Sequence, residues 1–549
     1  MRNYFSQLFH IVLVILPLFS YAQTADIILK NGKIFTSDTA RLYAEAIAIK
    51  GERIIRIGKG IDVEKYAGAT TKVIDLKGAT VIPGINDAHE HMGYGEPFSR
   101  MIHFNEPMLA GPSLQQALDS LTVSVAQVPP GTLIQGYIGL RLIEDPLARR
   151  AALDKVAPNH PVIFNVPWGH GTILNSKAMQ MLGIEETSPD PVGGRYERAS
   201  GSDRLTGLFI EYAEFDVKRK WHSVHPDEVL VEKFREYADN AMRMGITSVQ
   251  NMATSLELDK MVSVLQQSKL PIRIRVIRFP GTSNKGRDLA AWTKKYPSTA
   301  LLQVSGMKWI LDGTPLERGA LMRTAYTDRP DWKGTLNFPL DTINNIIREG
   351  LTSKEQLLLH IVGDHTPDLV LSSMEKMAKS DKWKPKRVRF EHADGLMQDQ
   401  WTAAKRMGVV VVVNPSHFMF AEVNHARVGE ERAKTYQPLK SLIEAGIPVA
   451  IGSDGPNNPF LNIMFAAIHP TNPAEAISRE QGVIAYTRGS AFAEFREKEK
   501  GMLKEGMLAD LAVLSRDVFT IPLQELPGIT SVLTMVGGKV VYDAGVVGK

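Results

Sequence analysis

Residues 81–91 read VIPGINDAHEH. A short apolar run, 79–82, stops at Pro83-Gly84; the chain then restarts and delivers His89 and His91 one residue apart. Alternate side chains of an extended segment face the same way, so H-x-H at a strand's C-terminal end aims two imidazoles at one point. Two converging imidazoles begin a metal site, and the rest of the chain must supply the missing ligands. Taken alone, the pair also fits two chance surface histidines.

Before this stretch come ADIILKNGKIFT, EAIAIKGERIIRIGK and TKVIDLKGATVIP, alternating apolar runs broken at Asn31-Gly32, Gly51-Glu52 and Lys77-Gly78. That is the pattern of hairpins in a small antiparallel sheet. A matching set, ADLAVLSRD and ITSVLTMVGGKVVYDAG, lies near the other end, with a turn at Gly537-Gly538. Strand edges need partners, so both sets are expected to form one β unit drawn from the two ends of the chain.

Between them, amphipathic helix candidates (113–128, 226–244 and 340–349) alternate with short apolar strands at 162–165, 248–251, 272–277, 307–311, 356–361, 387–391, 409–414 and 448–452. Repeated β-then-α units of this size predict a parallel barrel or sheet. In an eight-fold barrel the functional groups gather at strand C-terminal ends. LLLHIVGD ends its run at His360, VRFEHAD at Glu391-His392 and IPVAIGSDGP at Gly452-Ser453-Asp454; GMKWILDG carries Lys308 and closes at Asp312-Gly313. Strand ends delivering His, His and Asp after an opening H-x-H make a metal site the reading that explains them together.

Composition sets the class. A chain of 549 residues, 44% hydrophobic and 23% charged, can hold a large barrel and a smaller domain of a soluble enzyme. Net charge is +4 and no long run of either sign occurs, so neither nucleic acid nor an anionic membrane is expected as partner. The absence of cysteine excludes disulfides, thiolate ligands and a cysteine nucleophile, leaving His, Asp, Glu or a modified Lys to hold a metal. No G-x-S-x-G elbow marks a serine hydrolase. Residues 1–22 read as a signal peptide: Arg2, an apolar run over 8–19, and Ser20 and Ala22 ahead of a cut before Gln23. The run is short for a membrane span and is interrupted by Pro17, so a periplasmic or secreted product is expected, free of the membrane after cleavage.

The PGxxDxHxH opening, the interrupted β unit, and the later HxxGD, EH and GSD segments together resemble the amidohydrolase superfamily. More narrowly, KxxxDG, HxxGD and GSDxP resemble its YtcJ-like branch (amidohydrolase family 3), which includes N-substituted formamide deformylases. The resemblance runs from about Ala25 to the C-terminus; residues 189–208 and the segment WGHGTILNSKAM look like inserts of that branch. It implies an α/β fold: a (β/α)8 TIM-like barrel over 83–501 and a small β-sandwich assembled from 23–82 and 502–549.

The resemblance also implies roles. His89 and His91 would bind metal from the first strand, His360 and His392 from the fifth and sixth, and Asp454 from the eighth. Lys308, on the fourth strand, matches a lysine that many relatives carry carboxylated, bridging two metals. Its other reading is an ion pair with Asp312 or Asp364, so one metal or two both stay open. His170 matches a histidine that faces the substrate.

The implied enzyme is an exported, metal-dependent hydrolase of a C–N (amide or N-acyl) bond in a small molecule. An alternative keeps the site for an ester, cyclic amide or amidine, and another makes the chain a non-catalytic binding protein. Zinc would bring the pKa of its water to about 7. Asp454 would take that proton and pass it to the leaving group, while His170, by analogy, would stabilise the oxyanion. Glu317 and Arg318, where relatives have small residues, are expected to shape a pocket for a charged substrate or else to lie in a solvated loop. His417, after the strand end at Asn414-Pro415, is expected to line the pocket, and Glu391 either to orient His392 or to form a surface ion pair. A homo-oligomer is compatible with this sequence, which does not fix the oligomeric state.

Overall fold

The structure is a computed structural model, and it describes residues 24–92 and 99–547. The expected signal peptide lies outside the described residues. Among those described, no helix is long and apolar enough to cross a membrane.

Eight parallel strands form a nearly closed barrel: Ile85–Glu90, Ile246–Met252, Arg273–Arg278, Leu302–Ile310, Leu357–Ile361, Arg389–His392, Val410–Val413 and Val449–Ile451, each beside the next. Runs such as VVVV at 410–413 are buried along their whole length, because a barrel strand meets helices outside and other strands' side chains inside. The eighth strand returns to the first, where the Asp454 backbone N–H donates to the His89 carbonyl at 2.9 Å. Helices cover the outside, each through one stripe. Leu340–Thr352, for example, buries Ile343, Ile346, Ile347 and Gly350 at helical spacing.

The barrel floor is polar. Arg275 donates to Gln356 at 2.9 Å and to Gln250 at 3.2 Å, and Arg389 donates to Gln250 and to Glu391. These groups are buried and hydrogen-bonded together, as buried polar groups must be.

The terminal runs form two sheets. One joins Arg53–Gly58, Ala46–Lys50, Ile27–Lys30 and Lys72–Asp75; the other joins Lys539–Asp543, Ser531–Val536, Leu511–Leu514, Thr80–Pro83, Lys33–Phe35 and Tyr43–Ala44. Both ends of the chain therefore meet in one sheet, with Pro83 opposite Leu511. One apolar cluster, including Leu29, Ile47, Ile54, Val81, Leu511 and Val513, draws on both sheets. Pro83 remains within its strand, and Gly84 alone is the joint to the barrel: a Cβ there would lie 2.2 Å from Thr247 Oγ1. Deeper, Arg273 at the start of the third barrel strand grips Asp510 through two bonds of 2.7 and 3.0 Å, both partners buried. Asp510→Ala strands the guanidinium, and we expect a loss of about 3–5 kcal/mol, read as a lower urea midpoint.

A third sheet is inserted between the first and second barrel strands. Its order is Gly194–Arg198, Leu205–Glu211, Gly171–Leu174, Val162–Asn165, Leu133–Tyr137 and Ser99–Ile102, with apolar clusters of its own. Residues 162–165, expected among the barrel strands, belong here instead. A short apolar run reads the same in either sheet.

Candidate metal centre

The first barrel strand buries all six of its residues and puts His89 at its C-terminal end, fully buried. His89 Nδ1 lies 2.5 Å from Glu391 Oε2, and the Glu391 carboxylate is itself gripped by Arg389 at 2.8 and 3.0 Å. This chain fixes the tautomer, because Nδ1–H donates to the carboxylate and leaves the Nε2 lone pair to the site. Glu391 thus orients His89, whereas the sequence reading gave it to His392 or to a surface ion pair. His392 has a partner of its own, with Nδ1 2.9 Å from Asn414 Oδ1, while the Asn414 amide donates to the Gly452 carbonyl at 2.9 Å. His91 Nδ1 lies 2.8 Å from Thr254 Oγ1. Each of these three rings therefore has its Nδ1 tied to a neighbouring side chain.

Asp454 sits where they converge. Its carboxylate oxygens lie 3.7 Å from His89 Nε2, 3.4 Å from His91 Nε2, 3.6 Å from His392 Nδ1 and 3.6 Å from His417 Nε2. Its φ of 42° lies in the left-handed region, and the bond from its N–H to the His89 carbonyl helps to hold it there. His89, His392 and Asp454 each offer a ligand atom within 4.8 Å of the others. The His360 ring lies 4.4 Å from that of His392, and its Nε2 is buried without a hydrogen-bond partner. Lys308 is buried with Nζ 2.9 Å from His89 Nε2.

Electrostatics complete the description. Burial, with Lys308 nearby, holds His89 well below the usual histidine range; burial does the same for His360 and His392, and brings His91 to about 3. These rings are neutral near pH 7, the form that binds metal. Burial alone would raise the Asp454 carboxyl, but His89, His91, His417 and Lys308 hold it below the ordinary carboxylate value. Burial lowers the Lys308 amine to about 8. An orphaned buried nitrogen, neutral imidazoles and an ionised carboxylate are together a donor set that fits a divalent metal.

These groups open onto a cavity of about 690 Å³ whose wall includes His170, His417, Trp168, Trp221 and Phe420. His417 stacks on His392 and bonds the Asp454 carbonyl at 3.2 Å, so it lines the cavity as expected. His170 reaches the site from the inserted sheet, its ring 5.4 Å from that of His360. Its Nδ1 lies 2.8 Å from Glu211 Oε1, and burial is outweighed by Glu211, which pushes the imidazole up to about 10. Glu317 joins this second group, within 4.8 Å of both. The structure does not bring Arg318 to the cavity. Its guanidinium is held by Glu144 and Asp328, at 2.8 Å each, which leaves it no charge to offer a substrate. Glu211, Asn414 and Thr254 escaped the sequence reading. Asn414 alone left a signal there, as a polar residue closing a run of valines.

Comparison with known proteins agrees with this geometry. Residues 72–542 match the model of the Amidohydrolase family. The N-substituted formamide deformylase of Arthrobacter pascens is 26% identical, covering 95% of this chain and 99% of its own. Protein LONG AFTER FAR-RED 3 of Arabidopsis thaliana is 28% identical over 94% of this chain and 92% of its own. An uncharacterised metal-dependent hydrolase from Pyrococcus horikoshii shares the fold, with a TM-score of 0.69 at 21% identity, over 91% of this chain and 99% of that one.

Proposed function

The chain belongs to the amidohydrolase family, and from that premise we propose that it is an exported, metal-dependent hydrolase that cleaves the C–N bond of an amide or N-acyl compound. The observation that carries this is the convergence on Asp454 of imidazoles whose other nitrogens are fixed by Glu391 and Thr254. His89, His91, His360, His392 and Asp454 would hold the ion. Histidine and carboxylate donors without thiolate suit zinc among the available metals. A bound zinc supplies Lewis acidity, bringing the pKa of water to about 7 and polarising a carbonyl.

The remaining work falls to the chain's own side chains. Asp454, ionised and facing the cavity, takes the proton of the attacking water. His170, which lines the same cavity, presents a positive edge to the reacting group. Lys308, with its amine lowered to about 8, has the neutral form that adds CO₂, and as a carbamate it would let the site hold a second ion. The similarity to an N-substituted formamide deformylase supports the C–N assignment. Residues 1–22 support export, and the two terminal sheets with their shared core support a β-sandwich unit (23–82 with 502–549) beside a barrel unit (83–501).

The test is elemental analysis of the purified protein together with a screen of formamides, N-acyl amines, lactams and esters. One or two zinc ions per chain and turnover of acyclic amides are expected; no bound metal even after reconstitution would sink the proposal. Dialysis against dipicolinate is expected to abolish hydrolysis while leaving the circular dichroism spectrum intact. Zinc should then restore activity, and bicarbonate should speed the recovery if Lys308 becomes a carbamate.

A further inference from the structure

We propose that a small chamber behind His417, bordered by Asp394, Asn424, Gln437 and Thr471, binds one monovalent metal cation, potassium or sodium, which braces the wall of the large cavity. This site is separate from the metal centre and does not depend on which bond the enzyme cleaves.

The chamber has a volume of about 10 Å³, room for a single particle the size of water. Nine residues border it, and four of them carry a buried side-chain oxygen with no hydrogen-bond partner in the protein: Asp394 Oδ1, Asn424 Oδ1, Gln437 Oε1 and Thr471 Oγ1. Eleven such oxygens occur among the described residues, so more than a third of them gather round one small void. Asp394 and Gln437 are only 7% and 3% exposed, and buried polar atoms of this kind need partners. The other polar neighbours are engaged elsewhere. The Tyr436 hydroxyl lies 3.4 Å from Met322 Sδ, and His417 Nε2 bonds the Asp454 carbonyl at 3.2 Å.

The chemistry of the four oxygens selects the occupant. A carboxylate and two amide oxygens only accept, and no lysine or arginine borders the chamber. A water has two hydrogens to donate and leaves one of these three acceptors unpaired, whereas a cation satisfies all four oxygens. Oxygen donors without nitrogen or sulfur suit a hard cation, and Asp394 is the one carboxylate among them, which a single positive charge balances.

The frame around the chamber is fixed by its backbone. Asp394 lies two residues beyond His392, and its carbonyl accepts from the Gln437 N–H at 2.9 Å. Gln437 has φ 50°, in the left-handed region, and its carbonyl accepts from His469 Nε2 at 2.8 Å. Asn424 comes from the helix Ala421–Val428, and Thr471 follows the helix Pro459–Ile468. The cation thus joins three segments that follow different barrel strands. Asp394, His417 and Asn424 border the large cavity as well, so the same ion steadies the wall that carries His417.

Thallium(I), a potassium stand-in with strong anomalous scattering, is soaked as its acetate into crystals of the purified protein. A peak in the chamber, lost in Asp394→Asn, is expected. In solution at constant ionic strength, potassium or sodium chloride should raise the thermal midpoint by about 2 °C over choline chloride, whose cation is too large for the chamber. Asp394→Asn should abolish that difference, and Thr471→Val should raise the half-saturating salt concentration by about tenfold. The content of divalent metal should stay the same in every salt and variant, which distinguishes this site from the metal centre. A water in the chamber with no thallium peak, equal midpoints in the three salts, or a response to magnesium or calcium alone would overturn the proposal. If Asp394→Asn fails to fold, the thallium map and the salt response of the wild type decide the matter.

Discussion

Asparagine in place of Asp454 is expected to lower kcat/KM by about three orders of magnitude, within the range for losing a positioned acid–base group. The substitution keeps the shape and removes only the charge. That charge lies 3.4–3.7 Å from nitrogens of His89, His91, His392 and His417, so it acts both as a ligand and as the acceptor of the water's proton. The backbone bond from residue 454 to the His89 carbonyl does not depend on the side chain, and the thermal midpoint of the metal-free protein should move little. Steady-state kinetics alongside zinc content separates the two losses. Reduced zinc would mark the ligand role, and full zinc with the same kinetic defect would mark the acid–base role. Retention of more than a tenth of wild-type activity would rule out both.

Gly452→Ala should place a damaging methyl group at the molecule's centre. Its Cβ would lie 2.4 Å from the His89 nitrogen, 2.5 Å from His89 Cβ and 2.7 Å from His89 Cα, none of which can swing aside. The glycine is also held in place, since its N–H donates to the Val413 carbonyl at 3.1 Å and its carbonyl accepts from Asn414. Asp87 fastens the same junction through the Ser453 N–H at 2.9 Å. The alanine must therefore push the first and eighth strands apart at the point where His89 leaves the barrel. We expect a stability loss of about 3 kcal/mol, the upper part of the range for overpacking, and a protein that binds zinc poorly. Urea titration and elemental analysis would show it; wild-type zinc content with unchanged stability would contradict the packing described.

The sequence exposed the later ligands because each closes an apolar run, and a polar residue at a strand end is visible without knowing where the strand goes. His360, His392 and Asp454 have that form, while His89 shows itself by its H-x-H spacing with His91 after Pro83-Gly84. What lay hidden is what depends on direction across the barrel. Glu391 and His392 are neighbours in sequence, yet one serves His89 and the other bonds Asn414, because the backbone turns to φ 67° at His392. Glu211 gave no sign, since LTGLFIE followed by YAEFDVK reads as a strand giving way to a helix with a surface acid between them. The partners of Arg318 stayed hidden too: Glu144 lies far away in sequence, and neither it nor Asp328 carries a pattern.

The strand Thr80–Pro83 has Lys33–Phe35 on one side and Leu511–Leu514 on the other, with almost the whole barrel lying between those partners in the chain. A chain that has folded only its early half can pair this strand with Lys33–Phe35 but leaves the opposite edge open until residues 511–514 join it. An open edge backed by apolar side chains invites association with other chains, and distant pairings form slowly. Completion of this sheet therefore depends on a strand that lies almost at the far end of the chain. A product truncated ahead of residue 511 would display an unfilled edge to chaperones and proteases, however well its barrel had formed.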